Sequence, residues 1–132
     1  MTALIVIENC QLGDTVKVSP KAYGVEGSSM YLNAGEEVSV EDMLYGLMLL
    51  SGNDAAVALA IHTAGSVEAF AALMNARAEE IGSHNTNFVT PNGLHDPEHY
   101  TTAYDLALIA AEAMKNPDFR KIVGSTYHKT TT

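Results

Sequence analysis

The sequence predicts an α+β fold that is predominantly helical and carries one small antiparallel hairpin. Apolar residues recur at helical spacing after each of three capping residues, Ser39, Ser66 and Thr102. Alternation of apolar and polar residues, which is typical of strands, is confined to two short segments, 15–19 and 29–38. The 132 residues suit a single domain, 1–132. Hydrophobic residues make up 47 % of them, which suffices to build a core.

The charge of the chain argues against nucleic acid and anionic lipid as partners. With 16 acidic and 7 basic side chains, its formal net charge is −9, so it lacks a general basic surface for phosphate groups. The single cysteine, Cys10, cannot form an intrachain disulfide, and because it follows aliphatic residues we expect a buried thiol. The longest apolar run, Ala3–Ile7, is far shorter than a membrane span of about 20 residues, and neither a signal segment nor a membrane anchor is recognisable.

Three segments near the start are candidates for the hairpin and its surroundings. Met1–Asn9 is apolar on every face, so a buried helix and a buried strand both remain possible. Residues 15–19 and 29–38 alternate like short strands, and Asn33–Gly35 supplies a turn inside the second one. The intervening residues 20–27 are expected to form an irregular loop.

Two helices are predicted on either side of a polar corner. Ser39 begins the first, since its hydroxyl can accept the backbone amide of Asp42 in a short form of the capping box. An apolar stripe that should face the core follows: Val40, Met43, Leu44, Leu47 and Met48. The pattern breaks at Ser51-Gly52-Asn53. A second, mostly apolar helix is expected over Asp54–Ala64, and Gly65 ends it.

A third helix and a long loop follow. Ser66 caps the helix, which carries its apolar face as far as Ile81, and Gly82 ends it. Residues 83–101 are rich in Asn, Thr, Pro, Gly and His, which favours an extended loop. A loop of this length is uncommon unless it serves a site or covers a core.

The last part of the chain predicts a fourth helix and a β-prone end. Thr102 with Asp105 opens the helix, and Asn116-Pro117 closes it. Its apolar stripe consists of Leu106, Ile109, Ala110 and Ala113. A short helical turn is expected over 117–123, and residues 125–132 favour a strand.

The candidate functional residues are Ser51, Gly52 and Asn53. Polar side chains at a corner between two apolar helices have little to gain from the core and can point into a cleft. The bare pattern Ser-x-Asn is weak, since Asn53 could simply cap the next helix while Ser51 ends the previous one. The sequence around the corner decides between these interpretations.

The histidines do not predict a metal centre. His95 and His99 lie close to two acidic residues, but Pro97 between them opposes the helix that would bring an i, i+4 pair together. We therefore expect polar loop residues and no metal. Tyr100 and Tyr104 are expected to pack against the long loop. The remaining histidines have no partner pattern and are given no role: His62, His84 and His128.

The stretch LYGLMLLSGNDAAVALA, Leu44–Ala60, resembles the second active-site element of the serine D-alanyl-D-alanine carboxypeptidases, the low-molecular-mass penicillin-binding proteins. The likeness covers nearly the whole chain, including MTALIVIE, GSSMYLNAGEEVSVEDML and the region from EAFAALMNARAEE to YTTAYDLALIA. It implies the helical subdomain of the β-lactamase/transpeptidase-like fold.

In penicillin-recognising serine enzymes three elements meet at one cleft: SxxK, SxN and KTG. Only SxN is present here. No Ser in the chain is followed three positions later by Lys, and Lys129-Thr130-Thr131 has Thr where the third element needs Gly. In the family the SxxK Lys would lie just upstream of Met1, so we expect an internal fragment, a partial domain.

The resemblance also implies roles and partners. Ser51 would relay a proton between the Lys and the leaving D-alanine nitrogen, Asn53 would orient the Lys and a substrate amide, and Gly52 would let the backbone turn tightly. The parent enzyme would trim the terminal D-alanine of peptidoglycan stem peptides through an acyl-serine intermediate, and would bind β-lactams. It would act outside the bacterial cytoplasmic membrane and without a cofactor. Gly at the middle position favours a carboxypeptidase over a β-lactamase.

Two alternatives stay open. The chain could be a non-catalytic helical module that binds a partner, or a second copy of itself, through an apolar face. It could also belong to a β-lactamase-like relative. In every case the isolated chain is expected not to react with penicillin, because SxxK and KTG are absent from it.

Overall fold

The computed structural model describes residues 1–131 and bears out the predominantly helical α+β class. Its helices are α1 (Thr2–Asn9), α2 (Val40–Leu49), α3 (Asn53–Ala64), α4 (Val67–Ile81), α5 (Ala103–Ala113) and α6 (Pro117–Val123). Two strands, β1 (Thr15–Lys17) and β2 (Glu37–Ser39), form an antiparallel sheet, and a 3₁₀ turn covers Pro20–Ala22.

Helix α3 lies at the centre of the core. It packs against α1, α2 and α4, and residues 54–60 are all buried. Four of them are alanines, whose small side chains let the neighbouring helices approach closely. Larger residues fill the space around them: Leu4, Met43, Leu44, Leu59, Phe70 and Met74.

The apolar start of the chain folds as a helix. Residues 3–6 of α1 are buried, and Thr2 Oγ1 donates a hydrogen bond to Pro91 O at 2.6 Å. A helix satisfies its backbone amides internally, whereas a strand needs a neighbouring strand. The observed sheet holds only β1 and β2 among the described residues, so the helical alternative prevails.

The predicted second strand is wrong in its first half. β2 begins at Glu37 and pairs with β1 in the register Thr15↔Ser39, Val16↔Val38 and Lys17↔Glu37. Residues 29–32 are not a strand, because the backbone amides of Met30 and Leu32 donate to the Asp54 carboxylate and not to another strand. The turn inside the segment is present, with Gly35 at φ +83° and Glu36 N donating to Asn33 O at 3.1 Å.

The predicted helix caps are confirmed. The hydroxyls of Ser39, Ser66 and Thr102 accept the backbone amides of Asp42, Ala69 and Asp105 at 3.0–3.1 Å. Gly65 and Gly82 end α3 and α4 in the left-handed conformation. Local hydrogen-bonding chemistry therefore determined these boundaries.

Several predicted burials are wrong. Met48 and Leu106 are exposed despite their places on the apolar stripes, and Tyr100 and Tyr104 are largely exposed. Cys10 is only half-buried, with Sγ 3.3 Å from Thr63 Oγ1. Each lies at the edge of a helix or in a loop, where the core no longer covers it.

Residues 125–131 form no strand, and Thr132 lies outside the described residues. Within residues 1–131, none of the helices is by itself long and apolar enough to cross a membrane. By length and composition alone the bent pair α3 and α4 passes that test, with 83° between its helices.

Candidate active site

The corner between α2 and α3 presents Ser51 in an unusual backbone conformation. Ser51 has φ +54°, in the left-handed region that non-glycine residues seldom adopt. Its side chain is exposed and has no hydrogen-bond partner among residues 1–131. The hydroxyl therefore belongs to neither helix and is accessible from solvent.

Gly52 is favoured by the limited space around it and not by its backbone conformation. Its φ of −65° suits any residue, but it is buried, and an added Cβ would lie 3.1 Å from Met30 Cγ and 3.2 Å from Gly46 O. Its amide donates to Gly46 O at 3.2 Å, which closes the end of α2. The absence of a side chain thus lets α2, α3 and the segment around Met30 meet.

Asn53 binds a neighbouring loop and does not cap α3. The N-cap of α3 is Gly52, and no side chain caps it. Asn53 Nδ2 donates to Glu26 O at 2.9 Å, and its backbone amide donates to Ser28 O at 2.8 Å. An added Cβ at Gly27 would lie 2.5 Å from Asn53 Nδ2, so the loop approaches the carboxamide closely. The helix-cap alternative for Asn53 is therefore wrong.

The next residue, Asp54, is buried and saturated with hydrogen bonds. Its carboxylate accepts Ser29 Oγ at 2.8 Å and the amides of Met30, Leu32 and Ala55 at 2.9 Å each. We call Asp54 with Ser29, Met30 and Leu32 the Asp54 cluster. Sequence reasoning treated Asp54 only as a polar residue of an apolar helix; an acid at the start of such a helix was the available signal.

The Asp54 cluster stabilises the charged carboxylate. Burial by itself raises the pKa of Asp54, but the hydrogen bonds from Leu32, Met30, Ser29 and Ala55 outweigh it and hold the pKa below its usual range. The position at the start of α3 adds the favourable field of the helix N-terminus. Asp54 is thus ionised and fixed at neutral pH.

A second strained residue lies beside the same corner. Tyr31 has φ +59° and its side chain is 86 % exposed. Within residues 1–131, Tyr31 and Ser51 are the non-glycine residues with positive φ. Such strain persists only where the surrounding contacts impose it, and it concentrates at functional sites.

His128 has partners that the sequence did not reveal. Its Nε2 lies 2.7 Å from Oδ1 of the buried Asp42, and its ring stacks on Tyr45 with 3.7 Å between centroids. The amide of Thr131 donates to Asp42 Oδ2 at 3.0 Å. These contacts hold the end of the described chain against α2. Beside them is a cavity of about 310 Å³ lined mainly by apolar and aromatic side chains, Met30 and Tyr45 among them.

His99 makes contacts within the long loop. His99 Nδ1 accepts the amides of Val89 and Thr90 at 3.0 and 3.3 Å, and Phe88 meets its ring edge-on. Among residues 1–131, no group of three or more His, Cys, Asp or Glu side chains could hold a metal ion.

Comparison with known proteins points to one family. The sequence model of the D-alanyl-D-alanine carboxypeptidase family matches residues 1–132. D-alanyl-D-alanine carboxypeptidase DacF of Bacillus subtilis is 40 % identical over 130 residues, which cover 95 % of this chain and 33 % of DacF. DacA of Haemophilus influenzae is 42 % identical over 113 residues, 83 % of this chain and 29 % of that protein.

Solved structures give the same result. A D-alanyl-D-alanine carboxypeptidase from Mycobacterium tuberculosis superposes with a TM-score of 0.89 at 34 % identity, over 94 % of this chain and 47 % of that one. DacD from Francisella tularensis gives 0.86 at 37 % identity, over 92 % and 32 %. The chain spans about a third of the length of the curated relatives named above. By family match, identity and fold, the chain belongs to the D-alanyl-D-alanine carboxypeptidase family.

Proposed function

We propose that this chain supplies the SxN wall of the active site of a serine D-alanyl-D-alanine carboxypeptidase. The observation that carries the proposal is the corner Ser51-Gly52-Asn53, where the hydroxyl is exposed and the carboxamide half-buried, in a chain of this family. The substrates would be peptidoglycan stem peptides that end in D-alanyl-D-alanine, and β-lactams would compete for the same site. The reaction would take place outside the bacterial cytoplasmic membrane.

Ser51 is assigned the proton relay. Acyl transfer needs a route for a proton from the attacking serine to the leaving D-alanine nitrogen. A hydroxyl can both accept and donate, and that of Ser51 is not engaged by any residue in 1–131. Ser51 lies between α2 and α3 in the left-handed conformation, and its side chain is exposed.

Asn53 is assigned the orientation of the catalytic Lys and of a substrate amide. Because its Nδ2 is committed to Glu26 O, the oxygen Oδ1 is the atom left for an incoming hydrogen bond. A lysine ammonium and a peptide N–H are both donors, so an amide oxygen is a suitable partner for either. The half-buried position restricts the rotation of the carboxamide.

The nucleophile and its Lys are not supplied by these residues. No Ser here is followed three positions later by Lys, and Ser51 has no Lys or His bonded to it in residues 1–131. We therefore expect the isolated chain to remain unlabelled by a fluorescent penicillin on a denaturing gel. Covalent labelling that Ser51→Ala abolishes would contradict both this inactivity and the relay role.

A segment exchange tests the function itself. The chain would replace the aligned segment of Bacillus subtilis DacF, and D-alanine release from a peptide ending in D-alanyl-D-alanine would be measured. We expect release by the chimera and a fall of about 10²- to 10⁴-fold in kcat for Ser51→Ala, the usual contribution of a proton-transfer group. Ser125→Ala is the matched control, since Ser125 Oγ only donates to Lys121 O in the same helical end. Equal rates for the two serine variants would contradict the proposal.

Self-association is a second candidate, supported by exposed apolar side chains. Tyr31, Leu50 and Tyr127 are each more than half exposed, at 86 %, 57 % and 77 %. Such side chains favour contact with another apolar surface. Light scattering at increasing concentration tests this: a dimer is expected, and a strict monomer would argue against it.

A further inference from the structure

The start of α3 and residues 26–32 form one hydrogen-bonded unit. Asn53 binds the carbonyls of Glu26 and Ser28, at 2.9 and 2.8 Å. Its neighbour Asp54 binds Ser29 Oγ and two backbone amides of the same segment. Two adjacent residues of the helix therefore hold one loop, one mainly through the loop's acceptors and the other through its donors.

The Asp54 carboxylate fixes the strained part of this loop. Oδ1 accepts Met30 N and Oδ2 accepts Leu32 N, so the two hydrogen bonds flank Tyr31 on both sides. The amide of Tyr31 donates to Ser29 Oγ at 2.8 Å, and that hydroxyl in turn donates to Asp54. A left-handed tyrosine is unfavourable by itself, so its conformation depends on these bonds.

We propose that Asp54 is a positioning residue for Asn53. By fixing residues 29–32, its carboxylate holds the adjoining loop where Glu26 O accepts the Asn53 carboxamide and Ser28 O accepts the Asn53 backbone amide. The inference rests on the proposed function, in which the oriented Asn53 carboxamide binds the catalytic Lys and a substrate amide. Asp54 itself need not touch the substrate, because it acts through the loop.

The close approach at Gly27 supports this coupling. An added Cβ there would lie 2.5 Å from Asn53 Nδ2, so a small shift of the loop changes the space around the carboxamide. Loss of the Asp54 carboxylate would release residues 29–32, which directly follow this contact. The orientation of Asn53 then depends on a residue whose carboxylate is hydrogen-bonded to the loop and not to the Asn53 side chain.

Nuclear magnetic resonance on this chain tests the proposal without enzymatic turnover. The probe is the nuclear Overhauser effect between the Asn53 side-chain amide hydrogens and Gly27. Asp54→Asn keeps the shape of the side chain but removes one of its acceptor oxygens. Asp105→Asn is the matched control, because Asp105 is also a buried helix-start acid that accepts a loop amide, that of Asn85 at 2.8 Å.

We expect a strong Overhauser effect in wild type and in Asp105→Asn, and its loss in Asp54→Asn. In Asp54→Asn the Leu32 amide should also exchange its hydrogen about tenfold faster than in wild type. Ser29→Ala provides a milder second variant, since it removes one donor and leaves the carboxylate; it should weaken the Overhauser effect. If Asp54→Asn folds and keeps the Overhauser effect, the proposal is overturned. If Asp54→Asn does not fold, an unchanged Overhauser effect in Ser29→Ala overturns it instead. An equal loss in Asp105→Asn would overturn it too.

These outcomes are separate from those of the segment exchange. A chimera that releases no D-alanine would defeat the proposed function and leave the coupling between Asp54 and Asn53 measurable. Conversely, an active chimera with an unchanged Overhauser effect in Asp54→Asn would defeat only the positioning role.

Discussion

The starts of α3 and α5 use the same chemistry for different purposes. Asp54 and Asp105 are both 1 % exposed, and each binds a segment about 20 residues earlier in the chain. Asp105 accepts Asn85 N and Thr86 Oγ1, which anchors the beginning of the long loop. Asp54 instead flanks strained Tyr31 beside the candidate site. The comparison teaches that a buried helix-start acid holds a loop in this fold, and that one such acid does so beside the candidate SGN corner.

The physical reason is the same at both places. The loop residues bound by each acid lie outside the paired strands, so their amides need other acceptors when they are buried. A carboxylate offers two oxygens and several lone pairs in one place. Within residues 1–131 no buried side-chain N or O atom lacks a partner, which agrees with this arrangement.

The largest expected effect is the loss of stability when either acid is replaced by alanine, and it should be greater for Asp54 than for Asp105. Asp54→Ala would leave the buried donor of Leu32 and the half-buried donors of Met30 and Ser29 without their acceptor, and we expect a loss of about 3 kcal/mol in the free energy of unfolding. Asp105→Ala leaves fewer donors without an acceptor, so it should lower the free energy of unfolding by about 2 kcal/mol. Urea denaturation measures both. A larger loss for Asp105→Ala would break the comparison.

The fall of stability at acidic pH sharpens the comparison between the two acids. Because the pKa of Asp54 is lowered in the folded chain, the unfolded chain binds the proton first as the pH falls. The Asp54 contribution is therefore complete above the ordinary aspartate pKa of about 3.9 and is lost as the pH falls through the lower, folded pKa. Thermal denaturation between neutral and strongly acidic pH should show this loss in wild type. A Tm profile of Asp54→Asn that falls as steeply as wild type would contradict it.

Two glycines in the loop test the approach to Asn53. Gly27 and Gly24 have φ of +91° and +70°, so alanine strains the backbone at either. Only Gly27 of this pair has a neighbour within 4 Å of an added Cβ, namely Asn53. We expect Gly27→Ala to cost about 1 kcal/mol more than Gly24→Ala, the value of the displaced hydrogen bond to Glu26 O.

The NMR signal of the Asn53 side-chain amide gives a second readout for this pair. Its chemical shift should change in Gly27→Ala and remain unchanged in Gly24→Ala. Equal costs and equal spectra would show that the loop does not press on the carboxamide.

The smallest effect is expected at an ion-pair network remote from both acids. Arg77 binds Glu8 through Nε and Nη2 at 3.0 and 2.9 Å and Glu112 at 3.1 Å, which joins α1, α4 and α5. The pKa of Glu112 is lowered by hydrogen bonds from Lys115 and then Arg77. Arg77→Lys keeps the charge but loses the two-pronged geometry, and should cost about 0.5 kcal/mol.

Salt distinguishes this network from the buried acids. The Arg77 contribution should fall in 1 M salt, since partly exposed pairs are screened more than fully buried ones. The cost of Asp54→Ala should change little. A salt-independent Arg77→Lys cost that exceeds that of Asp54→Ala would reverse the ranking.

The sequence predicted what local chemistry determines. Caps at Ser39, Ser66 and Thr102 and glycines after two helices fixed most boundaries, and the break at Ser51-Gly52-Asn53 located the corner. The wrong strand at 29–32 has one cause: its amides bind Asp54, 22 and 24 residues away. Alternation along a segment cannot reveal an acceptor that lies in another element.

The same limit explains what was missed around the site. His128 meets Asp42 across 86 positions and stacks on Tyr45, and no local pattern marks such a pair. The left-handed Tyr31 is flanked by hydrogen bonds to the distant Asp54, whereas the left-handed Ser51 follows the end of α2, where Gly52 N donates to Gly46 O. The candidate site residues could be chosen from the sequence, whereas the long-range hydrogen bonds beside them could not.

The acylation rate of the DacF chimera by a fluorescent penicillin, compared between the unaltered segment and Asn53→Ala, tests the central claim most directly. If the corner lines the reacting cleft, the rate should fall about 10²-fold while the chimera unfolds at the same temperature. An unchanged acylation rate in folded Asn53→Ala would place the reaction elsewhere and contradict the account.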